Sequence, residues 1–307
     1  MKIAITTSSF AAYGSEPLDL LARAGADVVT NPHGRKLRPE ETVALLADCD
    51  GVVAGTEDLG AAVLERLPGL RAISRCGVGM DNVDLPWCEA HGVAVLNTPH
   101  GPTLAVAELT LGLILDLLRN VSRMDREMRA GTWKKRMGWQ LAGKRVGVVG
   151  YGRIGRATGE LLRAAGCEVA SFDPRPTCPS TPCLPLDELL AWADIVTLHC
   201  SRPEGGCTVI GPAELARMRP GSWLVNCGRG GLVDEDALCA ALESGRLCGA
   251  AVDCFGQEPY AGPLLRLDNV ILTPHVGSYA REGRVRMEAD AVRNLLAALG
   301  PDAQARR

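Results

Sequence analysis

The sequence lacks an excess of basic charge. Its 307 residues hold 33 Lys and Arg against 36 Asp and Glu, a net charge of −3. No broad surface should attract a polyanion, so nucleic acid is not an expected partner. A long apolar run is also missing. The most apolar helical stretch, Leu109 to Leu118, contains Asp116 and is followed by Arg119, whereas a bilayer span needs about 20 apolar residues. No membrane association is expected. Met1 to Thr7 has neither an apolar h-region nor a small-residue cleavage site, so it reads as a first strand and the expected location is cytoplasmic. The 12 cysteines form no C-x-x-C pair and no Cys/His grouping at zinc spacing, which removes the expectation of a metal site. Without an export signal they read as reduced thiols, mostly small core residues. Cys178 and Cys183 flank a Pro-rich loop where a disulfide is conceivable. Repeats and low-complexity segments are absent.

What is present is a globular balance, 47% apolar and 22% charged residues, in a chain long enough for two domains. Short apolar runs alternate with helix-like stretches. Ile3 to Ile5, Val28-Val29, Gly51 to Ala54, Ala72 to Ser74 and Val93 to Leu96 read as buried strands. Pro17 to Ala24, Pro39 to Ala47 and Gly60 to Leu67 read as the helices between them. This alternation implies a parallel sheet covered on both faces. A long amphipathic helix is expected from about Thr103 to Leu118, continuing to about Gly131. The pattern then restarts with six strands, at Arg145–Val149, Glu168–Phe172, Asp194–Leu198, Ser222–Asn226, Gly249–Val252 and Val270–Leu272. These complete a second doubly wound sheet. A last helix, about Arg281 to Leu299, is expected to return to the first domain. Residues Pro301 to Arg307 read as a frayed tail. The expected class is α/β with two Rossmann-like domains. The first is discontinuous, residues 1–98 plus 280–307, and the second covers 99–279.

Between the strand ending at Val149 and a following helix lies Gly150-Tyr151-Gly152-Arg153-Ile154-Gly155. In a G-x-G-x-x-G turn of this context, the first glycine permits a tight turn and the second lets the backbone approach a pyrophosphate. The third lets helix and strand pack closely, and the helix N-terminus faces the phosphates. The next strand ends at Asp173, 18 residues after Gly155. An acid there can bond both ribose hydroxyls and repel a 2′-phosphate, which favours NAD over NADP; Arg175, two residues on, works against that preference.

Three further segments each follow a strand: Asn226 to Gly231, Asp253 to Pro259 and Thr273 to Ser278. Carboxyl ends of strands line the ligand crevice of such a sheet, so Arg229, Glu258 and His275 are expected to converge there. Singly, each is more often a surface charge, a turn terminus or a satisfied polar residue. Together they suit hydride chemistry on a hydroxy acid. A guanidinium forks onto a carboxylate, an imidazole exchanges the hydroxyl proton, and a carboxylate behind it favours the imidazolium.

With these motifs in order, the chain resembles the D-2-isomer-specific 2-hydroxyacid dehydrogenase family over almost its whole length. Arg229, Glu258 and His275 fall on that family's catalytic arginine, glutamate and histidine. Arg75 to Asp84 and Asn97 to Gly101 look most like its phosphoglycerate dehydrogenase members. The resemblance implies that Gly150, Gly152, Arg153, Ile154, Gly155 and Asp173 bind the cofactor. Asp253 would contact the nicotinamide carboxamide, and Cys227 and Gly228 would line the ribose. The backbone at Val78 and Gly79 would hold the substrate carboxylate, with Arg75 near the substrate's far end or its phosphate. A homodimer is implied, with the helix from about Thr103 to Arg119 crossing to the partner.

The chain departs from the family in two places. Ser201 stands where Pro is more usual, and the loop continues as Arg202-Pro203-Glu204-Gly205-Gly206-Cys207. Gly228 stands where Ala is usual. No appended regulatory domain, and so no serine feedback, is expected. The implied activity is NAD-dependent hydride transfer at carbon 2 of a small D-2-hydroxy acid, 3-phosphoglycerate first. Glyoxylate or hydroxypyruvate reduction is an alternative, as is a non-catalytic, NAD-sensing protein like the family's corepressor branch. A phosphite site would call for lysine near position 78, where this chain has Val78.

Overall fold

A computed structural model describes residues 1–175 and 180–300. The chain divides into two compact units, Met1–Pro102 with Ser278–Arg307, and Thr103–Gly277.

The first unit runs β1 (Lys2–Ile5), α1 (Glu16–Arg23), β2 (Asp27–Thr30), α2 (Pro39–Leu46), β3 (Gly51–Ala54), α3 (Ala61–Leu64), β4 (Ala72–Arg75), α4 (Leu85–Ala90) and β5 (Ala94–Asn97). All strand pairs are parallel, in the order β2-β1-β3-β4-β5, the flavodoxin-like arrangement. Alternation along the strands feeds two cores. Ala4, Val52, Ala54 and Ile73 pack with Leu46, Val63 and Leu64 on one face. Ile3, Ile5, Val53 and Ala72 pack on the other with Leu21 and the last helix.

The second unit runs α5 (Pro102–Arg119), α6 (Val121–Arg129), β6 (Arg145–Val149), α7 (Arg153–Ala164), β7 (Glu168–Phe172), α8 (Leu186–Trp192), β8 (Ile195–Leu198), α9 (Pro212–Arg217), β9 (Ser222–Asn226), α10 (Glu235–Glu243), β10 (Leu247–Val252) and β11 (Val270–Leu272). Its strand order is β11-β10-β9-β8-β6-β7. A single parallel bridge joins Ser171 to Cys183 at the β7 edge. Counting that bridge as the unit's third strand gives 3-2-1-4-5-6-7, the dinucleotide-binding order 3-2-1-4-5-6 with one strand added. The third strand is reduced to one bridge because Pro182 and Pro185 cannot donate to a ladder. The chain then returns to the first unit as α11 (Arg281–Leu299), whose Met287, Ala291, Val292 and Leu295 are buried against β1, β3 and β4 residues.

Three expectations need correction. The long helix does not continue unbroken to Gly131. Asn120 takes a left-handed conformation, φ 54°, and splits α5 from α6. The helix expected over 60–67 is only Ala61–Leu64, and α4, capped by the Asp84 carboxylate on the Trp87 amide, was not expected. Seven of the 11 described cysteines are buried, as expected of small core residues. Cys183 is a free, exposed thiol, and Cys178 lies outside the described residues, as do Pro301 to Arg307.

Candidate active site

The glycine turn after β6 has the local chemistry a dinucleotide needs. Gly150 has φ 87°, and a methyl there would lie 2.5 Å from the Cys200 amide nitrogen. Only glycine fits that crossing of the β6 and β8 ends. A methyl on Gly155 would lie 2.1 Å from the Gly150 carbonyl oxygen, so the helix is drawn directly onto the turn. Gly152 is different. It caps α7 without a side-chain bond, and nothing lies within 4 Å of where its Cβ would be. That open space in front of the helix amides suits an approaching phosphate. Arg153 is exposed and Ile154 half-buried.

Asp173 is fixed in place from two sides. Its Oδ2 accepts the Tyr151 amide at 2.8 Å and its Oδ1 accepts the Arg175 amide at 2.9 Å. These residues fit an adenosine ribose, and the carboxylate disfavours a 2′-phosphate. Tyr151 itself was an unremarked position in the motif, yet it is buried. Its hydroxyl accepts from Thr181 at 3.0 Å and from Arg163 at 3.2 Å. A methyl on Gly159 would meet that hydroxyl at 2.6 Å. The glycine turn is thus tied to the reduced third strand by a phenol that local pattern alone does not reveal.

The three candidate residues Arg229, Glu258 and His275 lie in the loops after β9, β10 and β11. His275 Nδ1 lies 3.0 Å from each Glu258 carboxylate oxygen. Glu258 Oε1 also accepts the Phe255 amide at 3.1 Å. The hydrogen bond to Glu258 lifts the His275 pKa above the usual imidazole value, with burial and the Arg229 charge acting against it. Arg229 donates through Nη1 to the Gly228 carbonyl at 2.8 Å. Its own carbonyl accepts from Asn226 Nδ2 at 3.0 Å, while Asn226 Oδ1 accepts the Gly228 amide at 3.1 Å. Asn226 therefore braces the Arg229 turn.

Cys227 and Gly228 are both buried. Burial pushes the Cys227 thiol up to about 12, which leaves it a small uncharged wall residue. A methyl on Gly228 would lie 2.9 Å from Leu232 Cδ1, a physical reason for glycine here.

Asp253 is almost fully buried, 1% exposed. Its Oδ1 accepts from Thr273 Oγ1 at 2.6 Å and from the Val276 amide at 2.8 Å, and its Oδ2 accepts the Gly277 amide at 2.8 Å. It clamps the loop on which His275 sits with φ 54°. By contrast, His199 at the end of β8 is pushed down to about 3 by burial. Its Nε2 lies 3.0 Å from Thr197 Oγ1, and it stays neutral at ordinary pH. His275 and His199 are thus shifted in opposite directions, His275 by its carboxylate partner and His199 by burial.

The loop after β4 belongs to the first unit. Arg75 donates to the Cys76 carbonyl and, at 3.4 Å, to Asn82 Oδ1. Asn97 Nδ2 donates to the Val78 carbonyl at 2.8 Å. Val78 and Gly79 are half-buried.

Residues 111–277 match the model of the D-isomer specific 2-hydroxyacid dehydrogenase, NAD binding domain. The chain belongs to the D-isomer specific 2-hydroxyacid dehydrogenase family. It is 37% identical to a D-3-phosphoglycerate dehydrogenase of Rattus norvegicus over 82% of this chain and 49% of that protein. It therefore spans about half the length of that curated relative. It is also 37% identical to a glyoxylate reductase of Thermofilum pendens, over 85% of this chain and 81% of that one. Among solved structures, the TT0316 protein of Thermus thermophilus superposes with a TM-score of 0.91 at 36% identity, covering 97% of each chain. The family's NAD-binding domain thus spans the glycine turn, Asp173, Arg229, Glu258 and His275, and NAD is the cofactor it implies. No described helix is long and apolar enough to cross a membrane.

Proposed function

We propose that this protein is an NAD-dependent oxidoreductase interconverting a small D-2-hydroxy acid and its 2-oxo acid, with 3-phosphoglycerate the first substrate to try. The observation that carries this reading is the pairing of His275 with Glu258, 3.0 Å to each oxygen, in the same unit as the Arg229 turn and the dinucleotide turn. In this reading the unit Thr103–Gly277 holds the cofactor and the other unit holds the substrate.

NAD, when bound, takes up or returns the hydride at carbon 2. The protein's own groups do the rest. With Glu258 ionised, His275 keeps its proton on Nδ1 and presents Nε2 as the base for the 2-hydroxyl. As the proton arrives, Glu258 stabilises the imidazolium. The Arg229 guanidinium receives the carboxylate with paired N–H donors and so fixes which face of carbon 2 is presented. In the reverse direction His275 returns the proton to the carbonyl oxygen. Val78 and Gly79 amides are the substrate-carboxylate contacts that the family resemblance implies. Arg75 would take a distal anionic group.

The relative in Rattus norvegicus supports 3-phosphoglycerate. Glyoxylate or hydroxypyruvate is the second reading, supported by the glyoxylate reductase of Thermofilum pendens at the same identity. Purified protein mixed with NAD and a panel of 2-hydroxy acids, or with NADH and the 2-oxo acids, should change absorbance at the NADH band. No turnover of any panel member in either direction would overturn the assignment.

A homodimer is part of the proposal. It rests on the family resemblance, and the exposure of Leu104, Leu115, Val121 and Met128 along α5 and α6 is consistent with it. Sedimentation showing a monomer at micromolar concentration would refute it.

A further inference from the structure

The loop after β8 departs from the family pattern, and the structure gives its arginine a definite partner. Arg202 Nε donates to the Gly230 carbonyl oxygen at 2.7 Å. The rest of the guanidinium covers the next residue: a methyl built on Gly231 would lie 2.2 Å from Nη2 and 3.0 Å from Cζ. On its other side Gly230 presses on the loop after β10, where a methyl would lie 1.7 Å from the Phe255 carbonyl oxygen. The Phe255 amide in turn donates to Glu258 Oε1. The turn that bears Arg229 is therefore wedged between the Arg202 guanidinium and the loop that bears Glu258. Gly230 is needed because the Phe255 carbonyl leaves no room for a β-carbon, and Gly231 because its φ is 76°.

We propose that Arg202 is a positioning residue for the reaction, its guanidinium holding the Gly228–Gly231 turn so that Arg229 meets the substrate carboxylate in a fixed orientation. This rests on the reading of Arg229 as the carboxylate-binding group. A charged donor to a carbonyl is stronger than a neutral one, and a misplacement of about 1 Å in such a group costs on the order of 10²-fold in rate. Lysine does not replace arginine here, because its single ammonium cannot both donate from the Nε position and cover Gly231.

The experiment is a double-mutant cycle on the purified protein with its best panel substrate. R202A should lower kcat/KM for the acid roughly 10-fold, the scale of one charge-assisted hydrogen bond, mostly through KM for the acid, with KM for NAD little changed. R202K should remain defective, and added methylguanidinium should restore part of the R202A loss. Since Arg202 acts through Arg229, R202A placed on R229A should add nothing. Arg202 is exposed, so the variants should keep the wild-type melting temperature. Wild-type kinetics for R202A, or losses for R202A and R229A that simply multiply, would overturn the proposal. If R229A itself were silent, the reading of Arg229 would fall and this proposal with it. That result is distinct from a defective R229A beside a normal R202A, which sinks the positioning role alone.

Discussion

The Nδ1 atom of His275 sits equidistant from the two carboxylate oxygens of Glu258, 3.0 Å from each. In the proposed reaction, the proton on that contact sets the His275 tautomer and the pH range in which Nε2 acts as a base. The Glu258 hydrogen bond raises the His275 pKa and burial only partly opposes it.

In the proposed reaction, oxidation of the hydroxy acid requires His275 neutral and reduction of the oxo acid requires it protonated. The oxidation rate should therefore rise with pH through an apparent pKa above 6.5, the ordinary imidazole value. The reduction rate should fall through the same value. In Glu258→Gln the raising contact is gone, so both profiles should move to lower pH. Profiles of kcat/KM that do not shift in E258Q would show that the carboxylate does not set this equilibrium.

His275→Ala should reduce kcat by about 10²–10⁴-fold, the range of general acid–base catalysis. Binding of NADH, followed by fluorescence, should be nearly unchanged. A variant with near-normal kcat would remove His275 from the proton transfer.

Arg229→Ala should raise KM for the acid and lower kcat, because the same group binds and orients. Arg229→Lys should recover little, since an ammonium offers no paired donors. Steady-state kinetics on the two variants would check this, and full recovery by lysine would show that charge alone suffices.

Two glycines of one motif should behave in opposite ways. Gly155→Ala forces a methyl against the Gly150 carbonyl at 2.1 Å. It should destabilise the fold by about 1–3 kcal/mol, the cost of overpacking, and lower the melting temperature. Gly152→Ala meets nothing within 4 Å, so the melting temperature should hold while affinity for NADH falls. Equal effects of the two on stability would contradict the assignment of Gly152 to the cofactor side.

Asp253→Ala leaves two amides and a hydroxyl without their acceptor. With unsatisfied buried groups costing about 1–3 kcal/mol each, calorimetry should show a clear loss of stability, and kcat should fall with it as His275 loses its support. Asp253→Asn, which keeps an acceptor oxygen, should lose less of both. A stable, fully active alanine variant would show that the loop holds itself.

Much of this was legible in the sequence because buried parallel strands are short continuous apolar runs, and β6 and β8 to β11 all read that way. The third strand of the second sheet was not legible. Its bridge at Cys183 sits among prolines and carries no apolar run. The split at Asn120 was missed for a related reason, since apolar spacing continues on both sides of one left-handed residue. The placement of Arg229, Glu258 and His275 after strands was legible, and the residue types allowed the His275–Glu258 contact to be expected. The roles of Tyr151, Asn226 and Arg202 were not, because each depends on a contact that local pattern does not show, such as Arg202 with Gly230 or Tyr151 with Thr181.

The second compact unit ends at Gly277, two residues beyond His275, and there the backbone leaves for α11. The Asp253 carboxylate grips the last two amides before that exit. The same carboxylate thus anchors the backbone at the point where it passes from one unit to the next, and in the proposed reading it keeps His275 beside Glu258.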